Sequence, residues 1–306
     1  MMKLLCELPA TPLFSTSSVL TLGNFDGMHI GHQAIIKKVV EIAKSQQKAS
    51  VVLSFENHPS EVLYPDRPVN KICTNEHKIQ LIKNMGVDLL ILLTFTKEFS
   101  EQSAEQFIHH LQTLLPFSHL ILGWDATLGK DRKGNKETIK GIAEREHFSV
   151  EYIEQQTVNK VAVSSSLIRK FIQEGQLETA QKLLGRPYSV LSTVYRGLGK
   201  GKQLECPTAN LDVKNLCIPP LGVYAVNIFV DQQLFKGVAN LGIAPTVRED
   251  KVPLLEAHIF DYEADLYGKT IEVILTSYLR PEKKFANLEE LKLHIQQDIL
   301  KARSLG

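Results

Sequence analysis

The feature that most limits what this chain can become is a change of hydrophobic period part-way along it. Up to about Leu184, short unbroken apolar runs at 19–22, 51–55, 89–93 and 119–123 alternate with amphipathic segments at 35–43, 76–85 and 104–114. Runs too continuous for a sheet with one wet face, separated by helices, predict a parallel sheet covered on both sides. After LLGRPY (183–188) the period becomes two. Segments 222–230, 234–241, 254–260 and 270–278 are β-branched or alternating, with Asp231, Pro245 and Gly268 as turn residues between them, which predicts an antiparallel barrel or strongly curved sheet. Leu288, Leu291, Ile295 and Ile299 mark one face of a closing helix, with Asn287 and Glu290 spaced as a capping box. The expected fold is α/β plus β, in two domains, 1–184 and 185–306.

Charge and cysteine usage narrow the function. Thirty-five Lys and Arg against 34 Asp and Glu leave a net charge of +1, which favours neither a nucleic-acid nor an anionic-membrane partner. No apolar run approaches the ~18 residues of a membrane span, and the run before Glu7 is too short for a secretory signal. Cys6, Cys73, Cys206 and Cys217 form no CxxC pair and supply neither a disulfide nor a zinc framework. The expectation is a cytoplasmic protein with no nucleic-acid and no membrane partner.

Two constellations carry chemistry. GNFDGMHIGHQAI (23–35) follows the first expected strand and enters the first helix, where a parallel sheet puts its ligand crevice and where unpaired N–H groups draw anions. His29 and His32 share a face of that first turn, with Gly31 between them letting a phosphate approach the backbone; both are placed to donate to phosphate oxygens as charge builds. A metal-binding His pair would need a third ligand nearby, and none is evident. The second constellation is RGLGKGKQLECPTANL (196–211). Gly197, Gly199 and Gly201 let amides turn toward a phosphate beside Lys200 and Lys202, and a hydroxyl and an amide oxygen two residues apart on an extended segment can face one cation. As a bare pattern the glycine run reads equally as a hairpin loop.

HIGH (29–32) matches the HxGH signature of the nucleotidyltransferase superfamily, and GNFDGMHIGH resembles the version in bacterial bifunctional riboflavin kinase/FAD synthetases. The resemblance implies a Rossmann-like N-terminal half that transfers AMP from ATP to FMN and releases pyrophosphate. It gives His29 and His32 a catalytic role at the ATP phosphates and puts Gly23, Asn24, Phe25, Asp26, Gly27 and Gly31 in ATP binding. VSSSLIR (163–169) is similar to the SSTxxR motif, implying that Ser164, Ser165, Ser166 and Arg169 hold the β- and γ-phosphates, although a serine N-cap alone would read the same way. SFENHPSEVL (54–63) corresponds to TFxPHP, with Asn57 replacing the usual proline; Asn57 and His58 are implied to line the ATP or flavin pocket. LGWDATLGKDRKGN (122–135) matches the GxDFxFGxxxxG loop, keeping Asp125, Gly129 and Gly134, with Asp125 at the flavin. Ala126 and Leu128 stand where aromatic residues are expected, which puts flavin stacking in this half in question.

PTAN (207–210), with GVYAV, GVANLG, LEAHIF, LYGK and RPEKKF downstream, resembles the riboflavin kinase module over nearly its whole length. The resemblance implies that Thr208 and Asn210 bind Mg²⁺ and ATP, and that Gly197, Gly199, Lys200, Gly201 and Lys202 contact ATP. It makes Glu256 the base that takes the proton of the ribityl 5′-hydroxyl, and Arg280 and Glu282 part of a flap over riboflavin. Glu205 and Cys206 depart from the usual Gly-Phe, and Ser192 stands where glycine is common. The function implied is riboflavin to FMN and FMN to FAD, with ATP in both steps. A kinase whose adenylyltransferase half is weakened or inactive is the alternative. A rival from another class is an RNA-binding protein, because HIGH also occurs in class I tRNA synthetases; near-neutral charge and the lack of a KMSKS-like partner stand against it.

Overall fold

The computed structural model describes residues 1–196, 206–244 and 252–305. Gly197, Gly199, Lys200, Gly201, Lys202 and Glu205 lie outside the described residues, as does Pro245. The chain divides into two compact units, Met1–Lys71 with Lys78–Ser165, and Ile72–His77 with Ser166–Gly306.

The first unit is built on six parallel strands, β1 (Lys3–Leu5), β2 (Ser18–Leu22), β3 (Ser50–Phe55), β4 (Leu89–Leu93), β5 (Phe117–Gly123) and β6 (Ser149–Ile153), in the order β1-β4-β3-β2-β5-β6. Every residue of β2, β3 and β4 is buried, which is why these strands read as unbroken apolar runs. The connecting helices are α1 (Ile30–Ser45), α2 (Pro59–Leu63), α3 (Asn75–Asn84), α4 (Lys97–Ser100), α5 (Ala104–Leu114) and α6 (Lys136–Arg145). One sheet face, with Leu20, Leu53, Ile91 and Leu122, packs on Phe107, Ile108 and Leu111 of α5 and Ile139 and Ile142 of α6. The other, with Val19, Val52, Leu90 and Ile121, packs on Ile36 and Val39 of α1 and Ile82 of α3. Strand order reverses at β2, between β3 and β5, so the crevice opens at the C-terminal end of β2, where the chain turns into α1. β7 (Thr157–Val158) and β8 (Val161–Ala162) form a small hairpin after β6.

α7 (Ser165–Gln173) and α8 (Leu177–Leu184) follow, and Gly185 at φ 71° stops α8 in the left-handed region. The second unit's sheet is antiparallel: β9 (Ser189–Thr193), β10 (Ala209–Asp212), β11 (Gly222–Val230), β12 (Gln233–Ala244), β13 (Val252–Ile259) and β14 (Thr270–Arg280), in the order β10-β13-β12-β11-β14-β9. Just past β9, the Tyr195 N–H donates to the Asn210 carbonyl at 3.1 Å, bringing the two outer strands together and nearly closing a barrel. Thr74, from the segment 72–77, donates its hydroxyl to the Leu191 carbonyl at 2.8 Å. α9 (Leu288–Ser304) lays Ile299 and Ala302 on Val223, Ala225, Val238 and Leu279. Its first turn differs from the expectation. Asn287 accepts from the Glu290 N–H at 2.8 Å, but the Glu290 carboxylate reaches Ala286 rather than Asn287, and Leu288 is exposed. The packed face is concentrated in the last turns. No helix among the described residues is long and apolar enough to cross a membrane.

Candidate active sites

Between β2 and α1 the chain makes a tight path through the left-handed region, with φ 50° at Phe25, 75° at Gly27 and 43° at Met28. Such a path must be held by its surroundings. Three buried or half-buried side chains donate to its carbonyls: Ser54 to Asn24 at 3.0 Å, Lys78 to Asn24 at 3.1 Å, and Ser165 to Asp26 at 3.2 Å. Lys78 is 2% exposed and also donates to Phe55 at 2.7 Å, so one ammonium ties the loop to the end of β3. Its place on an ordinary helix repeat gave the sequence reading no reason to single it out. The Phe25 ring packs under Gly23, where a Cβ would stand 3.1 Å from it.

His29 is the N-cap of α1. Its Nδ1 accepts from the His32 N–H at 3.3 Å, and the two rings stack with centroids 3.5 Å apart. An accepting Nδ1 leaves the proton of the neutral ring on Nε2. A Cβ on Gly31 would lie 3.1 Å from the His29 ring, so this glycine makes room for the histidine itself. Burial, then His29 and Lys78, hold the His32 pKa well below its usual value, and the ring is neutral at pH 7. Among the described residues its buried Nδ1 has no hydrogen-bond partner. His32, Gly23, Asn24 and Asp125 line a cavity of about 470 Å³. A buried polar atom without a protein partner beside such a space marks where a ligand acceptor or donor belongs.

Part of the remaining wall is aromatic. Phe55, Phe95, Phe99 and Phe107 line it and meet each other at centroid distances of 5.0–5.4 Å, mostly edge to face. Ala126 and Leu128 lie on its loop side. Aromatic surface is therefore present, though it comes from β3, the segment after β4, α4 and α5 rather than from 122–135. Gly129 and Gly134 fit that loop onto Ala104 at the start of α5, where a Cβ at either position would overlap it. His58 is not in the cavity wall. It caps α2, its ring accepting from the Ser60 N–H at 3.2 Å while Glu61 accepts from the His58 N–H at 2.8 Å. Asn57 pairs with the backbone of Phe95. Ser164 and Ser166 are exposed and Arg169 is half-buried; Ser166 and Arg169 belong to the second unit.

In the second unit the ladder itself assembles the site. Asn210 of β10 pairs in register with Glu256 of β13, which pairs with Asn240 of β12. Residues directly opposite in a sheet project to one face, so an amide, a carboxylate and a second amide stand in a row; Asn240 was not singled out in the sequence. The alternate row, Ala209, Ala257 and Ala239, is buried in the core. Tyr195 lies beside this row: burial, then Asp212 and Glu256, raise its phenol above the usual value. A Cβ on Gly242 would collide with the Glu282 carboxylate and come within 2.9 Å of the Asn240 amide nitrogen, so Glu282 folds in next to Asn240. Arg280 is turned elsewhere. It grips Asp298 of α9 through Nε and Nη2 at 2.9 and 2.7 Å and lies over the Phe285 ring. Thr208 lines a separate cavity of about 490 Å³ with Val194, Ala257, Tyr262 and Leu266, whose wall includes neither Asn210 nor Glu256. Cys206, where the resemblance expects an aromatic, is buried, and burial pushes its thiol up to about 11.

Comparisons with known proteins match both halves of the chain. A family model described as FAD synthetase matches residues 12–167, and one described as riboflavin kinase matches 184–305. The bifunctional riboflavin kinase/FMN adenylyltransferase of Listeria monocytogenes is 36% identical over 92% of this chain and 90% of its own length. The Bacillus subtilis protein of the same name is 35% identical over 92% and 90%. Among solved structures, one described as a macrolide-efflux protein from Streptococcus pneumoniae superposes with a TM-score of 0.79 at 28% identity, covering 95% of both chains. With each half matched by its own family model and relatives of both activities over nearly the full length, the chain belongs to the bifunctional riboflavin kinase/FMN adenylyltransferase family.

Proposed function

We infer that the two activities of this bifunctional riboflavin kinase/FMN adenylyltransferase are worked by separate sets of residues, one in 1–184 and the other in 185–306. In adenylylation ATP lies with its phosphates over the start of α1, against Gly23 to Gly27 and Gly31, and the FMN ring enters the phenylalanine-lined cavity beside Asp125. An oxygen of the FMN phosphate forms the new bond to the α-phosphorus. The bridging bond to the β-phosphorus side breaks, and its electron pair leaves with pyrophosphate. FMN phosphate is already a nucleophile, so no base is required. His29 and His32 donate to the phosphate oxygens, and Ser164 and Ser165 hold the leaving group; catalysis rests on alignment and on donors fixed before charge develops.

In the kinase half Glu256 accepts the proton of the ribityl 5′-hydroxyl, whose oxygen attacks the γ-phosphorus as ADP leaves. Asn210 offers a neutral oxygen beside the Glu256 carboxylate of its row, and Thr208 offers a hydroxyl from the wall of the other cavity. Among the described residues no cluster of three His, Cys, Asp or Glu could cage a metal. That donor set fits Mg²⁺ arriving with ATP, since the ion keeps few protein ligands and takes its remaining charge from phosphates. When bound, Mg²⁺ draws charge from the phosphate oxygens. Arg280 and Glu282 border riboflavin, Glu282 directly and Arg280 by anchoring its segment to α9. The net charge of +1 supports an enzyme of ATP, riboflavin and FMN with no nucleic-acid or membrane partner, and four cysteines without a CxxC pair support a cytoplasmic one.

What supports this most is the buried Nδ1 of His32, which has no hydrogen-bond partner among the described residues and lies beside a cavity of ligand size. The test is a product assay with riboflavin, ATP and Mg²⁺. His29→Ala should accumulate FMN and make little FAD, while Glu256→Ala given FMN should still make FAD. Equal loss of both products in His29→Ala would overturn the two-site assignment.

A further inference from the structure

The parallel ladder between β3 and β4 ends at the pair Phe55 and Leu93, and the Glu56 N–H adds one more bond to the Leu93 carbonyl at 2.9 Å. Beyond that point a side chain takes over the role of the strand. The Asn57 carboxamide accepts from the Phe95 N–H at 2.7 Å and donates to the Phe95 carbonyl at 2.9 Å. Both backbone polar groups of one residue are thus held by one amide, a two-point clamp that fixes position and orientation together. A second bond braces it from the next residue along, Thr94 Oγ1 donating to the Glu56 carboxylate at 2.6 Å. The clamped residue carries a ring that touches Phe55 at 5.2 Å and Phe99 at 5.3 Å, and all three face the cavity.

Two departures from the family pattern meet here. The loop 122–135 lacks aromatic residues at Ala126 and Leu128, and Asn57 stands where a proline is usual. Proline has no side-chain amide and could make neither bond to Phe95. We propose that Asn57 is a positioning residue for flavin recognition in adenylylation: by holding the Phe95 backbone it sets Phe95 and Phe99 as the wall against which the planar isoalloxazine stacks, in place of ring surface from the 122–135 loop. This rests on the assignment of FMN to this cavity made above. Asn57 acts through Phe95, and its effect should therefore appear in how tightly and in what orientation the flavin is bound rather than in the chemistry at phosphorus.

The experiment uses the full chain and reads three quantities: KM for FMN, KM for ATP, and quenching of FMN fluorescence on binding. Emission of Trp124, the chain's one tryptophan, measured without flavin, reports how much of the first unit is folded in each preparation. Asn57→Leu keeps the side-chain volume and removes both bonds; KM for FMN should rise about tenfold against a much smaller change in kcat, with KM for ATP held and quenching weakened. Asn57→Asp retains an acceptor for the Phe95 N–H and should fall between parent and leucine variant. Phe95→Ala, which deletes the ring, should lose at least as much FMN affinity as Asn57→Leu. If Phe95→Ala loses FMN affinity and quenching while Asn57→Leu keeps parental values, the proposal is overturned and FMN still belongs to the cavity. If both variants are parental, the assignment of FMN to the cavity falls with it. A matched rise in KM for ATP would mean general loosening of the unit and would also overturn the positioning role. Should Asn57→Leu fail to fold, parental values in Asn57→Asp would be decisive in the same way.

Discussion

The first unit takes its reactive groups from a loop and a helix start; the second takes them from the middle of strands. In the first, three residues in the left-handed region bring the histidines to the crevice, and Ser54, Lys78 and Ser165 hold that path by its carbonyls. In the second, register alone aligns Asn210, Glu256 and Asn240, with no unusual backbone in any of the three. A site made by register is as rigid as its ladder. A loop-built site depends on buried polar anchors that its own motif does not contain.

The largest effect that would sharpen this contrast comes from Glu256→Gln, which keeps size and strand register. Riboflavin phosphorylation should fall about 10³-fold, within the range for losing a general base, while adenylylation of supplied FMN stays at the parental rate. Quench-flow or chromatographic rates for both steps give the answer, and an unchanged kinase rate would remove Glu256 as the base. His32→Ala is the converse and should be smaller. Losing one preorganised donor should cost FAD formation about 10²-fold with FMN formation kept. If that variant lost both activities, the two sites would not be separable in the way their architectures suggest.

A third change probes how tightly the strand-built site is packed. Gly242→Ala puts a methyl group where the Glu282 carboxylate now lies. Glu282 is a flexible side chain and can swing aside, so the barrel should survive. Displacing it from Asn240 should raise KM for riboflavin about five- to tenfold. Glu282→Gln with a parental KM would show that the glycine serves packing alone.

Legibility in the sequence followed the same division. α5 occupies 104–114 as expected because Ser103 and Gln106 form a full capping box and the apolar face is strong. β11 occupies 222–230 because its run is β-branched and aromatic and almost all of it is buried. β1 and β6 gave no clear signal: they are outer strands, largely exposed or half-buried, and their composition is mixed. The motif residues His29 and His32 were legible because helix-start phosphate chemistry needs neighbours in sequence. The phenylalanine wall was not, since Phe55, Phe95, Phe99 and Phe107 lie on four different elements and meet only when the sheet and α5 assemble. Lys78 was hidden for a related reason: a charged residue on a helix reads as solvated unless the fold supplies carbonyls around it, as Asn24 and Phe55 do here.

The smallest effect separates the units by acid. His77 lies in the segment 72–77 that belongs to the second unit, buried, with Nε2 3.6 Å from the Glu272 carboxylate and Arg186 as its cationic neighbour. Burial first, then Arg186, push its pKa down to about 3 from the usual 6.5. The unfolded chain therefore binds a proton on this ring at a pH where the folded chain does not. Its contribution to stability is whole above pH 6.5 and is lost as the pH falls toward 3, with a slope approaching about 1.4 kcal/mol per pH unit. His77→Gln keeps a polar side chain and removes the titration, so it should flatten that acid-side fall. Kinase activity remaining after incubation at each pH reports the second unit, and emission of Trp124, the chain's one tryptophan, reports the first. Flattening confined to the kinase readout would tie His77 to the barrel. An equal shift in the Trp124 signal would mean that the two units yield to acid as one body, and the contrast between them would then belong to their sites and not to their stability.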